Sequence, residues 1–327
     1  MSLFLSNLKQ NGHLEQVQMT VVNIGSRKLG AYDDYGIQDW GVFGHNLSIY
    51  GFEADPVACE QANQSDHPRT WQEQHFPLVL AGQVGYQPLY VTKHPMCSSL
   101  YPPNEPYLAR FAGLPPLVNL DHILEVETTT LDNFCRDYRI QSIDFLQIDI
   151  QGAELDVFKA APEIFSKSIL AIQTEVEFAP LYSGQPLFGE VDQFLVSQGF
   201  SLFNLGTTPV SRTNSPIPSG YSQPQILWGE AFYIRDLLLS NLDQQRQTPE
   251  NFLKLACIAD ILGFADYALE LLVHLTANYG TNPAYNCAQA IIESLQKLPG
   301  LEDQKIANLP AIQNIKGFLG EVIIIGG

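Results

Sequence analysis

Basic residues are scarce in this chain. Seventeen lysines and arginines stand against 35 aspartates and glutamates, giving a formal net charge of −18 over 327 residues. So anionic a surface repels a polyanion over most of its area, which argues against nucleic acid and anionic membrane as partners. A local pocket for one small ligand is still allowed. Long hydrophobic runs are missing too: no stretch of ~18 apolar residues occurs, so no transmembrane helix is expected. The start, MSLFLSNLKQNGHL, lacks the basic lead and cleavage site of a secretory signal, and a cytoplasmic protein is expected. Cysteines are few. Cys59, Cys97, Cys135, Cys257 and Cys287 are odd in number, far apart and without any CxxC, which argues against a disulfide framework and a zinc centre; no metal site is expected.

What is present is ordinary globular composition, 45% hydrophobic and 16% charged, at a length suited to one large domain and a smaller one. Between about residue 18 and residue 235, apolar strand-like runs alternate with helical ones. Residues 19–25, 46–55, 76–82, 88–92, 144–150 and 169–178 read as strands, a helix follows Pro56, and 189–200 reads as an amphipathic helix closed by Gly199. This alternation predicts an α/β fold with a mostly parallel sheet covered on both faces. The last pair differs. FSLFNL (200–205) and EAFYIR (230–235) are joined by a Pro-, Ser- and Gly-rich segment with no helical period, so they should pair antiparallel, with the segment as a lid or substrate loop.

From Asp236 onward the pattern turns helical. Thr248-Pro249 and Asn282-Pro283 are two helix-start signals, 34 residues apart, and LGFADYALELL resembles a tetratricopeptide hairpin. The expected division is a domain over 1–236 and a C-terminal helical region over 237–327 that packs on it or meets a protein partner or second copy. EVIIIGG (321–327) reads as an edge strand or a disordered tail.

In an open α/β sheet, ligands bind beyond the carboxyl ends of the strands. Those ends carry Asn23 and Gly25, then Glu53 and Asp55, then Ala81-Gly82, Asp149, and Glu175 with Glu177. A glycine turn after the first strand lets a ligand approach the backbone, and an acid ending the second can accept both hydroxyls of a ribose. The spacing Gly25-x-x-x-x-Gly30 is not a dinucleotide fingerprint, and Glu53 lies about ten residues beyond the ~20 expected for one. No prompt helix start follows Gly25 to hold a pyrophosphate. S-adenosylmethionine (SAM) carries no phosphate and bears a sulfonium cation, which suits an acidic site better. A nicotinamide-dependent oxidoreductase therefore ranks last.

The segment IDFLQIDIQGAELDVFKAA (143–161) strongly resembles the signature of FkbM-family SAM-dependent methyltransferases: an apolar strand ending in aspartate, then x-x-Gly-x-Glu. YGFEADPVACEQAN, CSSLYPPN, TTTLDNFC, EVEFAPLYSGQPLFGEVDQFLVSQGF and QILWGEAFYIR agree with it in order, over roughly 18–235. The resemblance implies a class I methyltransferase (Rossmann-like) fold: a seven-stranded, mostly parallel sheet with an antiparallel last strand, here with a small C-terminal helical appendage. It also implies SAM as cofactor. Asn23, Gly25, Gly30, Glu53, Ala81, Gly82 and Asp149 would hold it, with Leu80, Ala81 and Gly82 beside the adenine. Asn23 stands where the family usually has aspartate, and Gln151 where it usually has glutamate.

The implied reaction is O-methylation of a hydroxyl on a sugar or secondary metabolite, a small-molecule or glycan acceptor. An alcohol needs a base within reach. The candidates are Asp149, Glu175 and Glu177, with His45 and His94 behind them. Asp149 is also placed to cap the helix starting near Gly152, and Ser98 and Ser99 are either pocket or turn residues. A non-catalytic SAM-fold protein, with helices that bind a partner, is the alternative function.

Overall fold

A computed structural model describes residues 2–28, 39–64, 69–239, 245–301 and 306–319. Among these residues the strands build two sheets. In chain order the strands are β1 (Met19–Ile24), β2 (Leu47–Phe52), β3 (Gln72–Phe76), β4 (Val79–Leu80), β5 (Gly85–Thr92), β6 (Leu120–Thr129), β7 (Phe145–Ile148), β8 (Ala171–Glu177), β9 (Ser201–Val210) and β10 (Gln225–Ile234). The large sheet runs β3-β2-β1-β7-β8-β10-β9. Its first five strands are parallel, and β10 is antiparallel to both β8 and β9. The order reverses at β1, which lies between β2 and β7, so a crevice opens there at the carboxyl ends of the strands. A smaller sheet, β4-β6-β5, stands beside that crevice.

The helices are α1 (Leu5–Gln10), α2 (Pro56–Asn63), α3 (Glu105–Leu108), α4 (Pro115–Val118), α5 (Leu131–Asp137), α6 (Glu154–Lys159), α7 (Pro162–Lys167), α8 (Phe188–Ser197), α9 (Pro249–Ile261), α10 (Ala265–Tyr279), α11 (Ala288–Leu295) and α12 (Pro310–Ile315). None is long and apolar enough to cross a membrane. Strand alternation sends side chains to two cores. Val22, Ile24, Leu146 and Ile148 meet Phe134 of α5, Phe158 of α6, Phe165 of α7 and Leu195 of α8. Met19, Val21 and Phe145 face the other way, against α1, Trp40 and the C-terminal helices α9 to α12. The C-terminal helices thus pack, together with α1 and Trp40, on one face of the sheet. Trp40 stacks on Phe145 at 5.0 Å between ring centroids, and both rings are fully buried, each contributing roughly 2–3 kcal/mol of burial.

Several sequence expectations need correction. Residues 76–82 are not one strand: Phe76 ends β3, and Val79–Leu80 belong to the smaller sheet. Pro77 has no N–H to give a ladder, so the run breaks there. The segment after residue 205 is not all loop, because β9 runs on to Val210 and β10 begins at Gln225, leaving 211–224 as the connection. Strand β6 has no counterpart in the sequence reading, since most of its residues are exposed and they carry Asp121, Glu125 and Glu127 between the apolar ones. Asn282 caps only a 3-10 turn at Pro283–Tyr285, and α11 starts at Ala288. The EVIIIGG tail lies outside the described residues.

Candidate active site

The N–H groups of Gly25 and Ser26 donate to the Phe52 carbonyl at 3.0 and 2.8 Å and turn the chain at the end of β1. Gly25 has φ +86°, and a Cβ there would lie 2.0 Å from the carbonyl oxygen of Asp149. Only glycine fits, because β1 and the end of β7 are closed together at this point. The resulting crevice has a volume of about 350 Å³, within the range of small-molecule sites. Gly25, Glu53, Asp149 and Gln151 line one side. Leu89, Val91, Leu124 and Val126 of the small sheet form an apolar wall opposite.

Glu53 sits at the mouth of β2. Its Oε1 accepts from the Asp55 N–H at 2.9 Å and meets Arg27 Nη2 at 3.4 Å. Arg27 also bonds Asp55 at 2.8 Å, and that bond holds the Asp55 carboxyl below its ordinary range against the effect of burial. Asn23 does not line the crevice; it is 7% exposed, and its Oδ1 is buried without a hydrogen-bond partner. Ala81 and Gly82 are also absent from the lining. Ala81 is fully buried and Gly82 lies against Asp156, while Leu78, Val79 and Leu80 line the crevice. Gly30 lies outside the described residues.

Beyond β7 the chain passes through two left-handed residues, Gln151 (φ +59°) and Gly152 (φ +98°). For glutamine this backbone is strained, and four contacts hold it. Ser99 Oγ donates to the Gln151 carbonyl at 2.7 Å. The side-chain amide donates to Asp149 Oδ1 at 2.8 Å and to Glu175 Oε2 at 2.5 Å. The Tyr182 hydroxyl lies 2.7 Å from Gln151 Oε1. Asp149 does not cap α6. Glu154, the first residue of α6, instead reaches back along the turn, its carboxylate accepting from the N–H groups of Ile150 at 2.8 Å and Gly152 at 3.3 Å.

Asp149, Glu154 and Glu175 each bring one oxygen into a group spanning no more than 4.8 Å. Two full charges at that distance repel by about 3 kcal/mol at an effective dielectric of ~20, so the group cannot be fully ionised without compensation. Burial, and then the Asp149 charge, push Glu154 up to about 7. Burial and the charges of Asp149 and Glu177 hold Glu175 well above the carboxylate range. Glu177 is 2% exposed, with Oε1 unpartnered, and burial with Glu154 and Asp149 raises it likewise. A second, smaller pocket of about 120 Å³ opens on Asp149 and Glu175 from the side of Gln173, Thr208, Trp228 and Glu230.

The structure thus brings Asp149, Glu175 and Glu177 together, as the strand ends suggested, and adds Glu154, Gln151 and Tyr182. His45 and His94 line neither pocket. Ser98 does line the crevice, and it accepts from the Thr92 N–H at 3.2 Å. Arg27 and Tyr182 have no signal in the sequence beyond their nearness to family segments, because each reaches the site across a long separation.

A sheet of this order with one antiparallel strand, and a glycine turn and an acid at the ends of its first two strands, defines a class I methyltransferase fold. The profile described as a methyltransferase FkbM domain matches residues 30–202, more than half of the chain, and the chain belongs to that family. The 2-O-methyltransferase NoeI of Sinorhizobium fredii is 40% identical over 68 residues. The match covers 21% of this chain and 28% of that protein's length. Similar solved structures include a magnesium protoporphyrin IX methyltransferase from Synechocystis, 10% identical, covering 71% of this chain and 76% of that one at a TM-score of 0.30. A SAM-dependent methyltransferase from Anabaena variabilis is also 10% identical, covering 71% and 83% at a TM-score of 0.32.

Proposed function

We propose that the protein transfers a methyl group from SAM to a hydroxyl of a small-molecule or glycan acceptor. The observation that carries this reading is the meeting of the glycine turn with the carboxylate group: Gly25 packs against the backbone of Asp149, whose side chain is linked through Gln151 to Glu175. Membership in the FkbM family and the similarity to a 2-O-methyltransferase support oxygen as the target.

The residues present fit SAM. Gly25 lets β1 and the end of β7 close together, which puts the glycine turn and Asp149 side by side on the crevice. Both contacts of Glu53 use Oε1, so Oε2 is left for the ribose hydroxyls. Leu78, Val79 and Leu80 supply an apolar edge for the adenine. When bound, SAM supplies an electrophilic methyl carbon on a positive sulfur. Catalysis is then positioning plus removal of one proton. Burial and the neighbouring charges raise the Glu175 carboxyl above its ordinary range, which makes it the stronger proton acceptor, and Glu175 is the base assigned here, with Asp149 beside it across Gln151. The acceptor oxygen forms the new O–C bond as the C–S bond breaks, its electrons passing to sulfur, which leaves a methyl ether and S-adenosylhomocysteine.

Isothermal titration with SAM tests this reading. Binding that Glu53→Ala weakens is expected, followed by transfer of label from methyl-labelled SAM to members of a panel of glycosides and hydroxylated metabolites. Absence of binding at millimolar SAM would overturn it.

A further inference from the structure

We propose that Asp149, Glu154 and Glu175 bind one divalent cation of the hard, oxygen-seeking kind, such as Mg2+, Mn2+ or Ca2+. Such ions hold oxygens at about 2.0–2.6 Å, so ligands on opposite sides lie about 4–5 Å apart. The three carboxylates present oxygens within 4.8 Å of one another. A cluster of acids alone would not make a site, and a second observation points to a missing positive charge. Glu177 lies two residues on from Glu175, on the same face of β8, is 2% exposed and buries Oε1 with no hydrogen-bond donor. A buried, unpaired carboxylate oxygen is costly unless a cation answers it. Among the described residues, no lysine, arginine or histidine is ion-paired with any of these four acids.

Gln151 gives the site two consistent states. Its neutral Nε2 now bridges Asp149 and Glu175, which satisfies their lone pairs without cancelling their charge. A half-turn of the amide would direct Oε1 toward the same carboxylates as a further oxygen ligand. The Tyr182 hydroxyl, which donates to Oε1, can equally accept from Nε2 after that turn. The smaller pocket opening on Asp149 and Glu175 gives a hydrated ion a path and room for its remaining waters. The use of the ion rests on the methyl-transfer reading: an alcohol oxygen held by it gives up its proton more readily.

The test uses the full chain stripped with EDTA and titrated with Mn2+, the free ion being followed by electron paramagnetic resonance, with Mg2+ as competitor. One site per chain is expected. Glu154→Gln and Glu175→Gln should each weaken it by about tenfold or more, while Glu163→Gln, at the surface beside Arg136, should leave it unchanged. No stoichiometric site, or one indifferent to both cluster variants, overturns the proposal. Should loss of the Glu154 bonds to Ile150 and Gly152 unfold the protein, Glu175→Gln decides alone, since its amide oxygen still accepts from Gln151. SAM titrations on the same samples separate the two readings. A Mn2+ site without SAM binding upholds this one and sinks methyl transfer; SAM binding with no Mn2+ site does the reverse.

Discussion

Lys254 Nζ lies 3.1 Å from Asp144 Oδ1, and both side chains are buried. Asp144 leads into β7 and also accepts from the Thr20 N–H at 2.8 Å, so this ion pair fastens α9 to the middle of the sheet. Burial pushes the Asp144 carboxyl up while Lys254 holds it down. On the same helix Asp260 accepts from the N–H groups of Leu3, Phe4 and Leu5, at 2.8, 2.7 and 3.0 Å, and so anchors the start of α1.

Breaking a buried pair leaves the other charge alone, which costs about 3–5 kcal/mol. Lys254→Met is therefore expected to lower the unfolding free energy by about 3 kcal/mol in urea titrations. Adding Asp144→Asn, which keeps an acceptor for Thr20, should recover most of that loss. If the double variant is as unstable as the single one, the pair is not what holds α9 in place. By the same logic a chain ending at residue 236 exposes the sheet face that carries Met19, Val21 and Phe145, and it should aggregate rather than stay folded.

Stability should peak in mild acid. Glu154 titrates at about 7 in the folded chain against an ordinary 4.5. The folded state therefore binds more protons, and stability rises by up to about 3 kcal/mol as pH falls from above ~7 to ~4.5. Glu73 is opposite. Burial alone would raise it, but hydrogen bonds from His75, Lys28 and Trp71 outweigh that and hold it at about 2. Its contribution is full above ~4.5 and is lost as pH falls toward ~2. Melting in EDTA should thus show a maximum near pH ~5, and Glu154→Gln should flatten the alkaline side. A melting temperature that climbs steadily from pH ~5 to ~8 would contradict this account of the cluster.

Local patterns carried much of this fold. The apolar runs of β1, β2, β7 and β8, the Thr248-Pro249 start of α9 and the Gly199 close of α8 are all statements about adjacent residues, and adjacent residues are what a sequence shows. The antiparallel β10 followed from a missing helical period. What stayed hidden depends on distant partners. Strand β6 is legible only against β5, where Leu124 faces Leu89 and Ile123 faces Tyr90. The site divides similarly. Asp149, Glu175 and Glu177 were visible as strand ends, but the bonds of Glu154 to Ile150 and Gly152 and the reach of Tyr182 to Gln151 require the fold. So does Arg27 on Glu53, 26 residues apart.

The glycine turn gives a sharper test of cofactor placement. In Gly25→Ala the new methyl would collide with the Asp149 carbonyl, and φ +86° is itself unfavourable for alanine. The turn must open to admit it, and Asp149 must move with it. SAM affinity is expected to fall by more than tenfold and stability by about 1–3 kcal/mol, read by calorimetry and urea titration. Unchanged SAM affinity in a folded variant would place the cofactor elsewhere.

Gln151 joins the acids of this cluster, and its geometry shows what an amide does there. One NH2 group serves two carboxylates, Asp149 and Glu175, while the carbonyl end takes the Tyr182 hydroxyl. Gln151→Glu would replace both donated bonds with contacts between oxygens, adding one more acid to a group already short of positive charge. In EDTA the variant should melt below the parent at pH ~8 and approach it near pH ~5, where protons restore the missing donors. With saturating Mg2+ the deficit at pH ~8 should shrink, since an extra carboxylate strengthens a hard-cation site. A deficit that Mg2+ leaves untouched at pH ~8 would mean that the acids of this cluster answer to protons alone.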